Sequence, residues 1–184
     1  MLWKAKVDRI YLDTTYCAPE YDLPSQSDVI ARAVDLVREF VLMRPSTVVL
    51  CGAYSVGKER IFKSIAVELD CKLWTSAARV KVWHCLQDRD ILDRMVRDRS
   101  QARVQVVDMR VVGWGGLSQE LDKVGAQYNH ILGIKPTGWT HSRGEGQEVS
   151  LADVRIVTKG QLSIAGPWSI STRNTPFILQ AWLL

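Results

Sequence analysis

TVVLCGAYSVGKERIF, Thr47 to Phe62, changes its hydrophobic period half-way along. Thr47 to Cys51 is a short β-branched, apolar run, the composition of a strand buried on both faces of a parallel sheet. Gly52 and Gly57 bracket a turn. From Lys58 to Leu69 the spacing becomes helical, with Ile61, Phe62, Ile65, Ala66 and Leu69 on one stripe. A strand, a glycine turn and a helix in that order aim backbone N–H groups at a helix N-terminus, where phosphate is favoured.

Gly52, four residues, Gly57 and Lys58 also match the P-loop pattern up to its last position. That position calls for Ser or Thr, whose hydroxyl holds the nucleotide's magnesium ion. Here it is Glu59, which sets a carboxylate beside the phosphates instead. The local pattern leaves two readings open, an altered nucleotide site and a strand-to-helix corner with no ligand.

Upstream, Val7 to Leu12 reads as a strand with Asp13 directly after it. The carboxyl end of a strand is where open α/β sheets place ligands and metals, and Asp equally caps turns there. Cys17 to Pro24 is a proline-punctuated loop. Ser25 opens a helix with Asp28 as its capping-box partner, Ile30, Ala33, Val34, Val37 and Val41 form the stripe, and Arg44-Pro45 ends it.

Downstream, the pattern predicts a strand at Lys72 to Trp74 and helices at Ser76 to Leu86 and Asp88 to Val96. A strand at Val104 to Val107, a helical stretch at Leu117 to Val124 and a strand at Tyr128 to Ile134 follow. Lys135 to Trp139 reads as a turn and Arg143 to Glu148 as a polar glycine-rich loop. Val154 to Thr158 and Gln161 to Ile164 read as strands joined by a Lys159-Gly160 turn. This alternation predicts an α/β fold, a mainly parallel sheet flanked by helices. From Gln161 onward Arg173 is the only charged residue, and no local pattern assigns the apolar end to helix or strand.

The chain has 184 residues, 47% hydrophobic and 24% charged, within the range of globular domains. A net charge of +4 permits a nucleic-acid partner without demanding one. Alternating signs in Asp88-Arg89-Asp90 and Arg97-Asp98-Arg99 read as a solvated face. Cys17, Cys51, Cys71 and Cys85 stand singly, as expected of a reduced intracellular chain, with Cys51 and Cys71 as small buried hydrophobes. No run approaches the roughly 18 apolar residues of a membrane span. His84, His130 and His141 show no metal-ligand spacing; His84 and His130 read as structural, and His141 less firmly so. Spacing alone yields no complete catalytic site.

Three segments carry a resemblance: YLDTTYC (Tyr11 to Cys17), GAYSVGKERIF (Gly52 to Phe62) and KPTGWTHS (Lys135 to Ser142). Together and in this order they resemble the DNA cross-link repair nucleases of the metallo-β-lactamase/β-CASP class, from about Lys6 to about Ile164. The resemblance implies a nuclear hydrolase that cuts DNA phosphodiesters as a 5′-to-3′ exonuclease during interstrand cross-link repair. It implies one or two divalent metal ions, chiefly zinc, and DNA partners with damaged, single-stranded or cross-linked ends. It makes Asp13 a metal ligand and catalytic residue, and Tyr16, Lys58, Lys135 and Arg143 candidate DNA contacts, with Arg60 beside them. It makes Gly52 to Phe62 a β-CASP corner, with neither a nucleotide cofactor nor a membrane partner.

The sequence also departs from that class. The class carries an H-x-H-x-D-H cluster and a TGD-type aspartate before YLDTTY, and neither occurs here. Where the class has a Pro-Tyr-Ser-x-His-Ser-type segment, this sequence reads AGPWSISTRNTPFILQAWLL, without histidine. The expected organisation is the edge of a metallo-β-lactamase part at 1–24, a β-CASP region at 25–164 and an apolar tail at 165–184. Such a chain lacks most metal ligands, does not retain zinc and is inactive alone. The competing expectations are a P-loop-like nucleotide binder and a non-catalytic nucleic-acid module.

Overall fold

The computed structural model describes residues 8–14, 17, 25–112, 116–136, 156–158 and 178–181. In chain order the helices are α1 (Gln26–Met43), α2 (Glu59–Glu68), α3 (Ala77–Leu86), α4 (Arg89–Leu92) and α5 (Gly116–Leu121), with a 3₁₀ turn at Arg99–Gln101. The strands are β1 (Thr47–Ala53), β2 (Leu73–Thr75), β3 (Val104–Asp108), β4 (His130–Pro136), β5 (Ile156–Thr158) and β6 (Ile178–Ala181). The predicted α/β class is the observed one, a mainly parallel sheet flanked by helices.

β1 lies at the centre and is buried at every position, as its unbroken apolar run requires. It pairs in parallel with β3 on one side and β4 on the other. β2 extends the sheet beyond β3, also in parallel. Beyond β4, β5 pairs antiparallel with its first half and β6 parallel with its second half.

Alternate side chains of β1 feed two cores. Val49, Cys51 and Ala53 meet α1, α2 and α3 through Leu36, Val37, Phe40, Ile61, Ile65 and Trp83. Val48 and Leu50 meet α5 and the segment after it through Leu117, Leu121 and Tyr128. The rings of Phe62 and Trp83 stack with centroids 5.1 Å apart, locking α2 to α3. The helix opening at Ser25 is capped as its sequence predicts, since Ser25 Oγ accepts from the Asp28 N–H and donates to the Asp28 carboxylate.

Several expectations are corrected. Asp8 to Asp13 form no strand, and Ile10, Tyr11 and Leu12 are exposed. An extended apolar segment becomes a strand only when a neighbour completes its ladder, and among the described residues none does. The predicted helix Asp88 to Val96 stops at Leu92, because the chain then runs beside Leu73, whose N–H donates to Arg94 O and whose carbonyl accepts from the Val96 N–H. Lys135 and Pro136 belong to β4 and not to a turn, since β6 pairs there. His84, read as structural, is exposed on α3 beside the buried Trp83. Arg99 leaves the solvated face for a part-buried ion pair with Glu120.

β6 comes from the stretch that local pattern left unassigned. Thr137 to Trp139, Arg143 to Glu148, the Lys159-Gly160 turn and Gln161 to Ile164 lie outside the described residues. Among the described residues, no helix is long and apolar enough to cross a membrane.

Candidate nucleic-acid interface

β1 leads into α2 on one face of the sheet, while its neighbour β3 leads towards α5 on the other. Adjacent strands whose exits part in this way leave a crevice beyond their carboxyl ends, the usual ligand position in an open α/β sheet. A cavity of about 400 Å³ lies there, lined among others by Ser55, Trp74, Ser76, Arg79, Asp108 and Glu120.

Arg79 reaches across from α3 to the end of β1. Its Nη2 donates to Ala53 O at 2.9 Å and its Nε to Tyr54 O at 3.2 Å. These acceptors are neutral, and among the described residues no carboxylate forms an ion pair with Arg79. The guanidinium therefore braces the β1–α2 corner, and its charge also reaches the Asp108 carboxylate. Asp108, at the end of β3, is held by the Arg110 side chain at 3.0 Å. Hydrogen bonds from that side chain, then from the Arg110 N–H, lower the Asp108 carboxyl below its ordinary range.

The corner after β1 shows what its two glycines do. Gly57 has φ of 101° and Lys58 has φ of 68°, a left-handed turn that an L side chain resists at Gly57. A Cβ on Gly52 would stand 3.0 Å from Met109 Sδ and 3.3 Å from Met109 Cα, so that glycine admits the segment after β3. The Glu59 carboxylate accepts from the Gly57 N–H at 2.6 Å. A phosphate at this helix end would have to displace a carboxylate already bonded there, which weighs against the nucleotide reading. Lys58 is half-buried, and burial lowers its pKa. Tyr54 and Val56 stand exposed on the same corner.

Of the other predicted site residues, Asp13 is exposed. Lys135 follows the last β1–β4 register pair, Cys51 with Ile134, and so shares the carboxyl edge with Lys58. Tyr16 and Arg143 lie outside the described residues, as does His141. Arg60 bonds the Gln26 side chain across to α1. His130 is half-buried and bonded to Ser46 Oγ at 3.2 Å, a structural role; burial, then the nearby Arg44 charge, lowers its pKa.

Among the described residues no three His, Cys, Asp or Glu side chains gather where they could hold a metal ion. Sequence reasoning missed Tyr54, Arg79, Asp108 and Arg110. They follow three different strands, and only the strand order β2-β3-β1 brings their loops together.

At the Trp74 end of the cavity, Arg99 lies over the indole with its guanidinium carbon 4.7 Å from the ring centroid. Its Nη2 donates to Glu120 at 2.5 Å and its Nε to Gln105 at 2.6 Å. Burial pushes the Glu120 carboxyl up, but hydrogen bonds from Lys123 and Arg99 outweigh it and the net pKa is lowered.

The DNA repair metallo-beta-lactamase family matches residues 89–166, from α4 through β5. The human DNA cross-link repair 1A protein is 41% identical over 170 residues, covering 92% of this chain and 16% of that protein. The chain belongs to the DNA cross-link repair metallo-β-lactamase family. An Arabidopsis thaliana DNA cross-link repair protein SNM1 is 32% identical over 170 residues, 92% of this chain and 35% of its own length. The 5′ exonuclease Apollo of Gallus gallus is 30% identical over 112 residues, 61% of this chain and 23% of that enzyme. The chain thus spans 16% of its human relative and 35% of its Arabidopsis relative.

Proposed function

We propose that this chain is the DNA-contacting, β-CASP-type part of a nuclear DNA cross-link repair nuclease. The observation that carries this reading is its 41% identity over 92% of its length to a DNA cross-link repair protein. In the complete enzyme the reaction is divalent-metal-dependent hydrolysis of DNA phosphodiesters in the 5′-to-3′ direction, typically with zinc. Residues 1–24 belong with a metallo-β-lactamase part, 25–164 with the β-CASP part, and 165–184 with an apolar end.

This chain's own share of the work is phosphate contact. Lys58, Lys135 and Arg79 sit at one edge of the sheet, and such contacts position DNA without reading its sequence. Tyr16 and Arg143 are assigned to the same task. Asp13 contributes one carboxylate to a metal site completed by groups other than those described. The reading includes no nucleotide cofactor, because Glu59 takes the place where nucleotide phosphates would sit.

The test is hydrolysis of 5′-phosphorylated single-stranded DNA with zinc or magnesium, run on the chain and on Asp13→Ala. The expected result is no hydrolysis by either, with salt-sensitive DNA binding retained by both. Hydrolysis that disappears in Asp13→Ala would show a working metal site within this chain and overturn the assignment of an incomplete centre.

A further inference from the structure

The geometry points to Tyr54 as a stacking platform for an unpaired nucleobase, with Arg79 supplying charge for the adjoining phosphate. This rests on the DNA-contacting role proposed above and adds to it a residue that would hold an unpaired base. Tyr54 is 58% exposed although it directly follows the fully buried run of β1. A large aromatic ring left in water at such a place stands out from the apolar side chains before it, all of which are buried.

Its mount is rigid. The carbonyl of Tyr54 and that of Ala53 are both held by the Arg79 guanidinium. The ring is thus presented from fixed backbone, which lowers the ordering cost of a stacked contact. The next residue, Ser55, lines the crevice between the ends of β1 and β3.

The charge around the ring is uneven in an informative way. Arg110 is 91% exposed but its charge is offset by Asp108. Arg79 hydrogen-bonds neutral carbonyls and meets Asp108 only through a weaker, longer-range attraction, so more of its charge than of Arg110's is left for an anion. An aromatic face beside a cation that tracks the backbone is the combination by which proteins bind single strands without sequence preference. Base pairs inside a duplex are stacked on both faces and present none to Tyr54, so away from its two ends a duplex makes the phosphate contacts alone.

The experiment uses the full chain with a fluorescent single-stranded oligonucleotide and with a blunt duplex of the same sequence. Tyr54→Ala, Tyr54→Phe and Tyr54→Trp are compared with the unaltered chain, and circular dichroism confirms that each is folded. Tyr54→Ala is expected to weaken single-strand binding about tenfold and to leave duplex binding unchanged, while Phe and Trp retain it. A 2-aminopurine in the oligonucleotide should be quenched by the unaltered chain and not by Tyr54→Ala. Unchanged single-strand affinity in Tyr54→Ala, or an equal loss on both DNAs, would overturn the platform while leaving the DNA-contacting role standing. Failure of the unaltered chain to bind either DNA would overturn that role and the platform with it.

Discussion

Gly52 separates the two meanings of the glycine corner at the scale of one residue. In a nucleotide site its substitution would act through the ligand. Here the missing Cβ leaves room for Met109 and Val112, whose atoms lie 3.0 Å and 3.1 Å from where it would stand. Two of those contacts are to side chains that can shift, but the Met109 Cα at 3.3 Å is backbone. Gly52→Ala is therefore expected to destabilise the chain by about 1–3 kcal/mol through overpacking. Urea unfolding at pH 7 checks this, and a stability equal to that of the unaltered chain would show that β1 and the segment after β3 are not packed this closely.

α5 is fastened to the 3₁₀ turn by one ion pair. Glu120 and Arg99 side chains are 12% and 18% exposed, so their 2.5 Å contact is little screened. The Glu120 pKa is lowered in the fold. Its contribution is therefore fully present above the unfolded carboxyl pKa of about 4.3 and is lost as pH falls through the lower folded value. Glu120→Gln is expected to cost about 2 kcal/mol at pH 7, with the difference from the unaltered chain shrinking below about pH 4. Denaturant melts at pH 7 and below pH 4 read this directly; a cost independent of pH would mean that shape and not charge holds α5. Elements of this kind divide by how local their cause is. β1, α1 and α2 are legible in the sequence because a buried run, a Ser25 cap and a helical stripe each lie within one stretch. The end of α4, the strand character of Lys135 and the existence of β6 depend on partners far along the chain, which local period does not encode. The same holds for Arg99, whose alternating-charge surroundings conceal a part-buried pairing, and for Asp8 to Asp13, whose apolar run has no ladder partner among the described residues. Lys58 and Lys135 are singled out by their motifs, whereas Tyr54, Arg79 and Asp108 come together only through the strand order.

At the scale of the whole molecule, a net charge of +4 is too small to make the entire surface attractive to DNA. In the proposed DNA-contacting role, binding comes from where the cations stand. Lys58 and Lys135 follow or end adjacent parallel strands, and Arg79 braces the same edge, so one rim of the sheet carries the field. Arg38, in contrast, lies on α1 and is paired with Asp35 and Glu68. Each phosphate neutralised at the rim releases counterions, so the logarithm of the affinity for duplex DNA should fall linearly with the logarithm of salt, by about 0.9 per contact. Lys58→Ala and Lys135→Ala are each expected to reduce that slope by about one, while Arg38→Ala, whose charge is already offset, leaves it unchanged. The measurement is DNA affinity from 50 to 200 mM salt for the four chains. If Arg38→Ala flattens the slope as much as the two rim substitutions do, DNA is held by the general surface, and the carboxyl edge of the sheet is not the interface.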